Sequence, residues 1–336
     1  MPDIHETTLG DLGEDGLLGH LYARIADMPS GHGAPLVGPG DDTAYLRAGQ
    51  ATLATTDVMV RGRDWLDEWS SATDVGVKLV NQNLADLAAM GGVGSALLLT
   101  LTAPPQLPAS WARGFLDGVV LAAAAADCAI AGGDLSSSMG EVIVSATALG
   151  HLTPQMSHPV LRSGARPGDR VAVSGGLGRS AAGLEVLSRG ARDWFPPQQY
   201  AERCASWVGY HTRPWPDLQQ GPLAGQSGAS AMIDISDGLV RDGGRIAHAS
   251  EVTLNLESQL LAPWVEPIAA VLGRTEAQRC VHGGGEEHTL LATFVPGGDV
   301  PAGWTVVGHV KERDPAVHVT VDGRPVDAGG WDHFSE

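Results

Sequence analysis

The sequence predicts an α/β or α+β protein built from two domains. The chain has 336 residues, more than the roughly 150 of a typical domain, which favours two hydrophobic cores. Hydrophobic residues make up 43% of the chain and aromatic residues only 5%, so Ala, Val and Leu must fill those cores. This composition is typical of sheets covered by helices, and strand patterns alternate with helical patterns along the first half.

The first half of the chain begins with a predicted helix at residues 14–28. A loop rich in glycine and proline follows it and ends in GPGDD. TLATTD (52–57) predicts a strand, and residues 74–91 carry apolar side chains at helical spacing until two glycines end the helix. The remaining predicted elements are a strand at 95–104, a helix at 110–127, and strands at 128–134 and 141–152.

The domain boundary is predicted near residues 150–165, where prolines, glycines and basic residues cluster. We assign residues 1–152 to an N-terminal domain and residues 153–336 to a C-terminal α/β domain. In the second domain, residues 170–187 and 231–250 each predict a strand, a glycine turn and a helix. Residues 190–230 are rich in Pro, Gln and Trp and indicate no clear element.

Charge and cysteine content exclude several classes of protein. The formal charge of -18 disfavours nucleic acid and anionic membranes as partners, and an acidic protein that handles phosphates needs bound cations. Cys128, Cys204 and Cys280 lie far apart without a CxxC pattern, which indicates neither a disulfide framework nor a zinc site. The N-terminal residues lack a basic-then-apolar signal, so we expect a cytoplasmic protein without a membrane span.

Aspartates at strand ends and in glycine turns are the strongest chemical signal in the sequence. They are Asp41, Asp42, Asp57, Asp134, Asp234 and Asp237. Converging carboxylates repel one another unless hard cations neutralise them, and oxygen ligands without His or Cys indicate Mg²⁺. For any single aspartate, capping of a turn or helix is the alternative interpretation.

The helix predicted at 74–91 carries Lys78, Gln82 and Asp86 on one face, at i, i+4 and i+8. Asp86 could therefore join the aspartate cluster, although an ordinary solvated face has the same pattern. The chain has only two lysines, Lys78 and Lys311, and neither forms the GK[ST] part of a P-loop. If the protein uses ATP, metal ions and backbone amides must hold the triphosphate.

Eight motifs in one order, spread over nearly the whole chain, resemble those of thiamine-monophosphate kinases. They are GPGDDTA (38–44), TTDVMVRG (55–62), KLVNQNLADLAAMGG (78–92), GGDLS (132–136), RSGARPGDRVAVSG (162–175), MIDISDGL (232–239), GGGEEHTLL (283–291) and GGWDHF (329–334). The resemblance implies a two-domain fold like that of aminoimidazole-ribonucleotide synthetase, with a homodimer formed through the N-terminal sheet. It also implies ATP-dependent phosphorylation of thiamine monophosphate to thiamine diphosphate, with ATP and several Mg²⁺ ions in a cleft between the domains.

The resemblance also assigns individual residues. The positions that match metal ligands are Asp42, Thr56, Asp57, Asp86, Asp134, Asp234 and Asp237, and we expect Asp57, Asp234 and Asp237 to be catalytic. Nucleotide contacts fall on Gly133, Arg162 and Ser236. Contacts to the phosphate acceptor fall on Glu286 and Trp331, and Asp64 occupies the position of a substrate-contacting His.

Departures from the family pattern lie on the acceptor side. Arg61 replaces an acidic residue, Asp64 replaces the His, GEDYEL has become GEEHTL, and Asp217 stands where an arginine is usual. Because the metal-matching residues are all present, ATP chemistry is better supported than the identity of the acceptor.

Three alternatives follow from these departures. The first is a paralogous ATP- and Mg²⁺-dependent kinase with another small acceptor. The second is another superfamily branch, selenophosphate or aminoimidazole-ribonucleotide synthesis, which the absence of an early Cys and the LADLAAMG and GWDHF motifs disfavour. The third is a nucleotide- or metal-binding protein without catalysis, which the retained aspartates disfavour.

Overall fold

Two sheets organise the part of the chain that the structure, a computed structural model, describes: Val37, Asp41, residues 44–48 and residues 50–326. The first sheet contains Ala44–Ala48 (β1), Gln50–Val60 (β2), Gly92–Ala103 (β3), Ala129–Ser137 (β4) and Ile143–Leu152 (β5). The strands lie in the order β1-β2-β5-β3-β4. Strands β3 and β4 are parallel, and the other neighbours are antiparallel.

The second sheet has seven strands. They are Arg170–Val173 (β6), Ala229–Asp234 (β7), Thr253–Leu256 (β8), Leu290–Phe294 (β9), Thr305–Lys311 (β10), Val319–Val321 (β11) and Arg324–Pro325 (β12). Their order is β12-β11-β8-β10-β6-β9-β7. The proposed division between residues 152 and 153 therefore falls between the last strand of one sheet and the first strand of the other.

Eight α-helices accompany these sheets in the described residues, which confirms the predicted fold class. They are Ala72–Ala89 (α1), Ala109–Ala125 (α2), Arg179–Gly190 (α3), Ala201–Thr212 (α4), Gln220–Gln226 (α5), Leu239–Ser250 (α6), Ser258–Leu272 (α7) and Arg274–Gly283 (α8). The unassigned stretch 190–230 contains α4 and α5, whereas the helix predicted at 14–28 lies outside the described residues. Among the described helices, none has the length and apolar character needed to cross a bilayer.

Helix α1 begins with a capping box and is buried on nearly every side. The Ser71 hydroxyl accepts a hydrogen bond from the Asp74 N–H, and the Asp74 carboxylate accepts one from the Ser71 N–H. The helix ends before Gly91, whose φ of +77° is a left-handed conformation that glycine adopts easily. Lys78 is only 3% exposed, so the polar face predicted for this helix is not an ordinary solvated face.

Helix α1 contributes to the cores of both halves. Its Leu79 and Leu84 pack with Phe115 of α2 in the core beneath the first sheet. Ala88 and Ala89 of its last turn belong to a separate buried cluster, which also contains Phe294 of the second sheet. Burial of apolar surface on both sides of one helix therefore joins the two sheets.

Two glycines allow α1 and α2 to approach closely. A Cβ atom on Gly76 would lie 2.2 Å from the Phe115 carbonyl oxygen, and one on Gly118 would lie 2.1 Å from the Thr73 carbonyl oxygen. Both distances are far below van der Waals contact with backbone atoms that cannot rotate away. The two helix backbones are in contact at Gly76 and Gly118, and a residue with a Cβ atom at either position would force them apart.

We expect Gly118→Ala to lower the free energy of unfolding by about 1–3 kcal/mol, because the added methyl group forces the helices apart. Urea denaturation followed by circular dichroism measures this change. The matched control is Gly209→Ala in α4, where a Cβ atom would meet nothing within 4 Å. The higher helix propensity of alanine should leave that variant unchanged or more stable by up to about 1 kcal/mol. Equal destabilisation by both substitutions would contradict the close-packing argument.

Candidate active site

The turn after β7 gathers carboxylates around an arginine. Asp234 ends β7, and Asp237 lies in the turn before α6. The N–H groups of Asp237 and Gly238 donate to Asp242 Oδ2 at 2.9 and 3.0 Å. Arg245 donates to Asp237 Oδ2 and to Asp242 Oδ1, each at 2.6 Å. Burial, followed by the nearby Asp237 carboxylate, raises the pKa of Asp242, while Arg245 opposes this effect.

Residues 284–289 form a loop that packs against this turn. The Glu286 N–H donates to the Ser236 carbonyl oxygen at 2.7 Å, and the His288 N–H donates to the Ile235 carbonyl oxygen at 2.9 Å. Glu286 and His288 have φ angles of +57° and +52°, which residues other than glycine rarely adopt. Backbone strain of this kind is concentrated at functional sites, where surrounding contacts maintain it.

His288 orients a predicted metal-binding carboxylate. Its Nδ1 lies 3.3 Å from Asp234 Oδ2, and the His288 side chain is almost completely buried. Its other ring nitrogen, Nε2, is also buried and has no hydrogen-bond partner among the residues that the structure describes. The 284–289 loop therefore holds Asp234 in place through His288. This histidine occupies the position where the family pattern usually has Tyr.

Glu287 has a structural role that differs from that of its neighbour Glu286. Its buried carboxylate accepts hydrogen bonds from the Ser180 N–H at 2.9 Å and from Arg179 Nε at 3.1 Å. This carboxyl group caps the first turn of α3, because the N-cap residue Gly178 has no side chain to do so. Burial raises the pKa of Glu287, and the charge of Arg179 opposes this effect. The Tyr210 hydroxyl donates to the Glu287 carbonyl oxygen at 2.6 Å. Glu287 thus anchors the loop, whereas the side chain of its neighbour Glu286 is partly exposed.

Lys78 links α1 to this loop. Its ammonium group forms an ion pair with Glu286 Oε1 and donates to the Asp64 carbonyl oxygen at 3.1 Å. His211 Nδ1 lies 3.3 Å from Glu286 Oε2 and 3.0 Å from the Ser180 hydroxyl. Burial lowers the pKa of His211 to about 4, so this imidazole is neutral at neutral pH. Because both contacts involve the same nitrogen, the geometry is not that of a Ser-His-acid relay.

The Glu286 carboxylate remains ionised despite its surroundings. Burial alone raises its pKa, but the charge of Lys78 is the strongest opposing effect, and the net result is a pKa below the usual value. Its side chain is 35% exposed, compared with 4% for Lys78. Glu286 is thus an ionised and partly exposed carboxylate that contacts a buried cation.

The carboxylate of Asp64, a predicted acceptor contact, is used within its own turn. Asp64 Oδ2 accepts a hydrogen bond from the Val60 N–H at 2.6 Å. The next residue, Trp65, stacks on Trp111 with a centroid distance of 6.0 Å, and the guanidinium of Arg61 lies 5.3 Å from the Trp111 ring centroid. These contacts rigidify the turn that replaces the family's His-containing segment.

The first sheet places the predicted metal ligands Thr56 and Asp57 on opposite faces. Asp57 does not end its strand as predicted, because β2 stays paired with β5 as far as Val60. Asp57 is paired with buried Ala146, so its side chain lies on the helix-covered face together with Thr55. The Thr55 hydroxyl donates to Asp86 Oδ2 of α1 at 2.7 Å, which brings Asp86 to the same region. The Thr56 hydroxyl lies on the other face and donates to the Ala146 carbonyl oxygen at 3.0 Å.

Asp134 lies within β4, which runs to Ser137, and does not end its strand as predicted. It is also separated from Asp57 within one chain. Asp57, Ala146, Leu99 and Gly133 form one row across the sheet, so the next residue, Asp134, points to the opposite face. Three strand spacings, about 14 Å, also lie between β2 and β4. Metal binding by Asp134 stays a prediction. Within one chain, Asp134 cannot share a metal ion with the aspartates on the helix-covered face.

The chemistry of the predicted donors fits Mg²⁺, but their arrangement is incomplete in the residues that the structure describes. Within those ranges, no three His, Cys, Asp or Glu side chains are grouped to hold a metal ion. Asp42 and Trp331, predicted for metal and acceptor, lie outside the described residues. The neighbouring Asp41 Oδ1 accepts a hydrogen bond from the N–H of Arg162, a predicted nucleotide contact, at 2.9 Å.

A cavity of about 310 Å³ lies apart from these residues. Its walls include Asn81, Leu84 and Ala88 of α1 and Trp215 from the segment before α5. At 100° per residue these α1 positions lie nearly opposite Asp86 on the helix. None of the residues predicted to bind metal, nucleotide or acceptor lines the cavity, although Asp217, one of the departures from the family pattern, does.

Several contributors to the site were not assigned from the sequence. They are His211, Asp242, Arg245, Glu287 and His288 in contact roles, and Lys78 as a buried cation. The spacing of Asp242 and Arg245, i and i+3 after the DISDGL motif, could have indicated an ion pair on α6. No local pattern indicates the others, because their partners lie far away in sequence.

Comparisons with known proteins agree with this fold. Residues 40–152 match the family model for the N-terminal domain of AIR synthase related proteins. The chain is 39% identical to thiamine-monophosphate kinase of Mycobacterium tuberculosis (strain ATCC 25618 / H37Rv), covering 98% of this chain and 94% of that protein. It is 34% identical to thiamine-monophosphate kinase of Corynebacterium glutamicum, covering 97% of this chain and 95% of that protein.

Solved structures show the same relation. The structure of AaThiL complexed with AMPPCP and TMP matches with a TM-score of 0.84 and 30% identity, covering 98% of this chain and 100% of that chain. Thiamine monophosphate kinase from Aquifex aeolicus matches with a TM-score of 0.80 and 29% identity, covering 95% and 99%. Full-length similarity in both sequence and fold shows that the chain belongs to the thiamine-monophosphate kinase family.

Proposed function

We propose that this chain transfers the γ-phosphoryl group of ATP to thiamine monophosphate, forming thiamine diphosphate and ADP in the cytoplasm. The observation that carries the proposal is the similarity to thiamine-monophosphate kinases over 98% of the chain. The structural relative with bound AMPPCP and TMP supports the same pair of small-molecule substrates. The ion-paired Glu286, held between the two halves at a position that matches an acceptor contact, agrees with this assignment.

The chemistry requires positioning more than proton transfer. A phosphate monoester has a second pKa of about 6 and is largely a dianion at neutral pH, so its oxygen can attack the γ-phosphorus without a general base. In a direct in-line transfer, the bond to the β-phosphate oxygen breaks as the new P–O bond forms, and ADP leaves with the electron pair. Neutral His211 is therefore not needed as a base, and the residues of the cleft must align two anions.

We propose that Mg²⁺ ions are held by carboxylates from both halves, with Asp57 and Asp86 on one side and Asp234 and Asp237 on the other. Asp42, Thr56 and Asp134 complete the ligand positions implied by the family pattern. When bound, Mg²⁺ supplies positive charge that screens the repulsion between the two phosphates. Within the chain, Arg245 and His288 hold Asp237 and Asp234 in place, and Thr55 holds Asp86.

We further propose that the chain forms a homodimer through the outer face of the first sheet. Val58 and Leu98, which are 55% and 44% exposed, lie on this face with Thr56, Thr100 and Thr147. Exposed apolar side chains on a broad sheet are typical of protein interfaces. Asp134 lies on the same face, so the dimer would place it at the interface.

The first prediction concerns the acceptor. We expect purified protein with ATP and Mg²⁺ to convert thiamine monophosphate to thiamine diphosphate, measured by coupled ADP release and chromatography of the product. Free thiamine should give a kcat/KM at least about 100-fold lower, because its hydroxyl group needs a general base that a phosphate dianion does not. Negligible kcat/KM with thiamine monophosphate would instead favour a paralogous kinase, as the departures at Asp64 and in GEEHTL suggest.

The second prediction concerns the metal-binding carboxylates. Asp57→Asn and Asp234→Asn should each lower kcat about 100-fold or more, because an amide keeps the shape but lacks the charge that holds a cation. Exposed Asp117→Asn on α2 is the matched control and should retain full activity. Thermal unfolding without ligands should be similar for all three variants. Near-normal turnover by Asp57→Asn or Asp234→Asn would count against the metal assignment.

The third prediction concerns the dimer. Light scattering after size exclusion should give twice the chain mass of 34.8 kDa for the wild type and the monomer mass for Leu98→Glu. The charged side chain would have to be desolvated at the interface, which is unfavourable without a partner charge. Leu184→Glu on α3, where the leucine is 40% exposed, serves as the control and should remain dimeric. A monomeric wild type would refute the proposed interface.

A further inference from the structure

Two predicted acceptor contacts, one from each half of the chain, meet at the same buried ammonium group. Lys78 Nζ donates to the Asp64 carbonyl oxygen at 3.1 Å and forms an ion pair with Glu286 Oε1. Asp64 and Glu286 are separated by more than two hundred residues in sequence. Lys78 is therefore placed to fix the distance between the two sides of the acceptor site.

Because Lys78 is buried, its ammonium group needs partners that replace water. Moving an ammonium group out of water is unfavourable by several kcal/mol unless a paired charge and hydrogen bonds replace the lost solvation. Here Glu286 supplies the charge and Asp64 supplies a carbonyl oxygen. Since Lys78 lies on a helix packed against both halves, its ammonium group cannot move far without breaking these contacts.

Each partner of Lys78 is also fixed on its far side. The Glu286 N–H is bonded to Ser236, in the turn that carries Asp234 and Asp237. The Asp64 turn is closed by the hydrogen bond from Val60. A displacement of Lys78 would therefore move both loops relative to each other, rather than only one side chain.

We propose that Lys78 is a positioning residue for the phosphate acceptor, an inference that rests on the proposed function. Its side chain is 4% exposed, so it acts through Glu286 and the Asp64 turn and does not contact the acceptor itself. The more exposed Glu286 carboxylate presents a negative charge suited to the cationic thiazolium or the hydrogen-bond-donating aminopyrimidine of thiamine monophosphate. Lys78 keeps that carboxylate ionised and correctly placed.

The kinetic test uses the fact that the chain has only two lysines. Lys78→Met should raise KM for thiamine monophosphate about 10- to 100-fold, the effect of losing a charged hydrogen bond, while KM for ATP changes less than about 3-fold. Lys311→Met is the matched control, because Lys311 bonds to Asn255 on the second sheet, and it should match the wild type. Lys78→Arg, which retains the charge and donors, should recover part of the lost affinity.

A spectroscopic test does not depend on the stability of these variants. Protein labelled with ¹³C-lysine should show two ε-methylene signals, which Lys311→Met assigns. Thiamine monophosphate should shift the Lys78 signal, whereas a non-hydrolysable ATP analogue with Mg²⁺ should leave it nearly unchanged. A Lys78 signal that does not move at saturating thiamine monophosphate would overturn the inference, even if Lys78→Met fails to fold.

The two proposals can fail separately. If the wild type turns over thiamine monophosphate but Lys78→Met leaves its KM unchanged, or raises both KM values equally, only the positioning role is wrong. If the wild type does not turn over thiamine monophosphate at all, the proposed function is wrong, and the acceptor role of Lys78 falls with it.

Discussion

The burial of a charged residue on a shared helix is the constraint on which the rest of this structure depends. Helix α1 packs against the first sheet, against α2 and against the second sheet, and Lys78 lies within it with almost no exposure. A buried ammonium requires a counter-charge in a defined place, and here that charge comes from the other half of the chain. Apolar burial joins the two halves, and the ion pair between Lys78 and Glu286 fixes how the 284–289 loop lies against helix α1.

The local distribution of charge explains how so acidic a chain keeps its carboxylates ordered. The net charge is -18, yet several carboxylates of the candidate site contact a cation: Asp237 and Asp242 share Arg245, Glu287 contacts Arg179, and Glu286 contacts Lys78. These pairs offset repulsion between neighbouring anions and fix each side chain in one orientation. Preorganised charges of this kind are what phosphoryl transfer requires, because the reaction depends on alignment more than on new covalent partners.

Strand geometry also divides the predicted ligands into two groups. Asp57 and Asp86 lie on the helix-covered side of the first sheet, whereas Thr56 and Asp134 lie on the outer face beside Val58 and Leu98. The alternation of side chains along a strand is strict, so these groups cannot meet through one sheet. If the outer face is a subunit interface, the functions of metal binding and assembly depend on the same strands.

Much of this protein could be predicted from local sequence patterns. The fold class, helix α1 and the strand that ends at Asp234 were predicted, because hydrophobic period and turn chemistry act over a few residues. The predicted strand ends at Asp57 and Asp134 were wrong, since pairing with neighbouring strands extends β2 to Val60 and β4 to Ser137. Similar residues nevertheless took unlike roles. Glu286 is partly exposed and pairs with Lys78, whereas Glu287 is buried against the start of a helix. The Asp64 carboxylate bonds to a backbone N–H of its own turn, and Lys78 is buried although its spacing is typical of a solvated face. These roles depend on which distant segments of the chain pack together. A short stretch of sequence does not show which of its residues will be buried or which charges will pair, because the partners lie elsewhere in the chain.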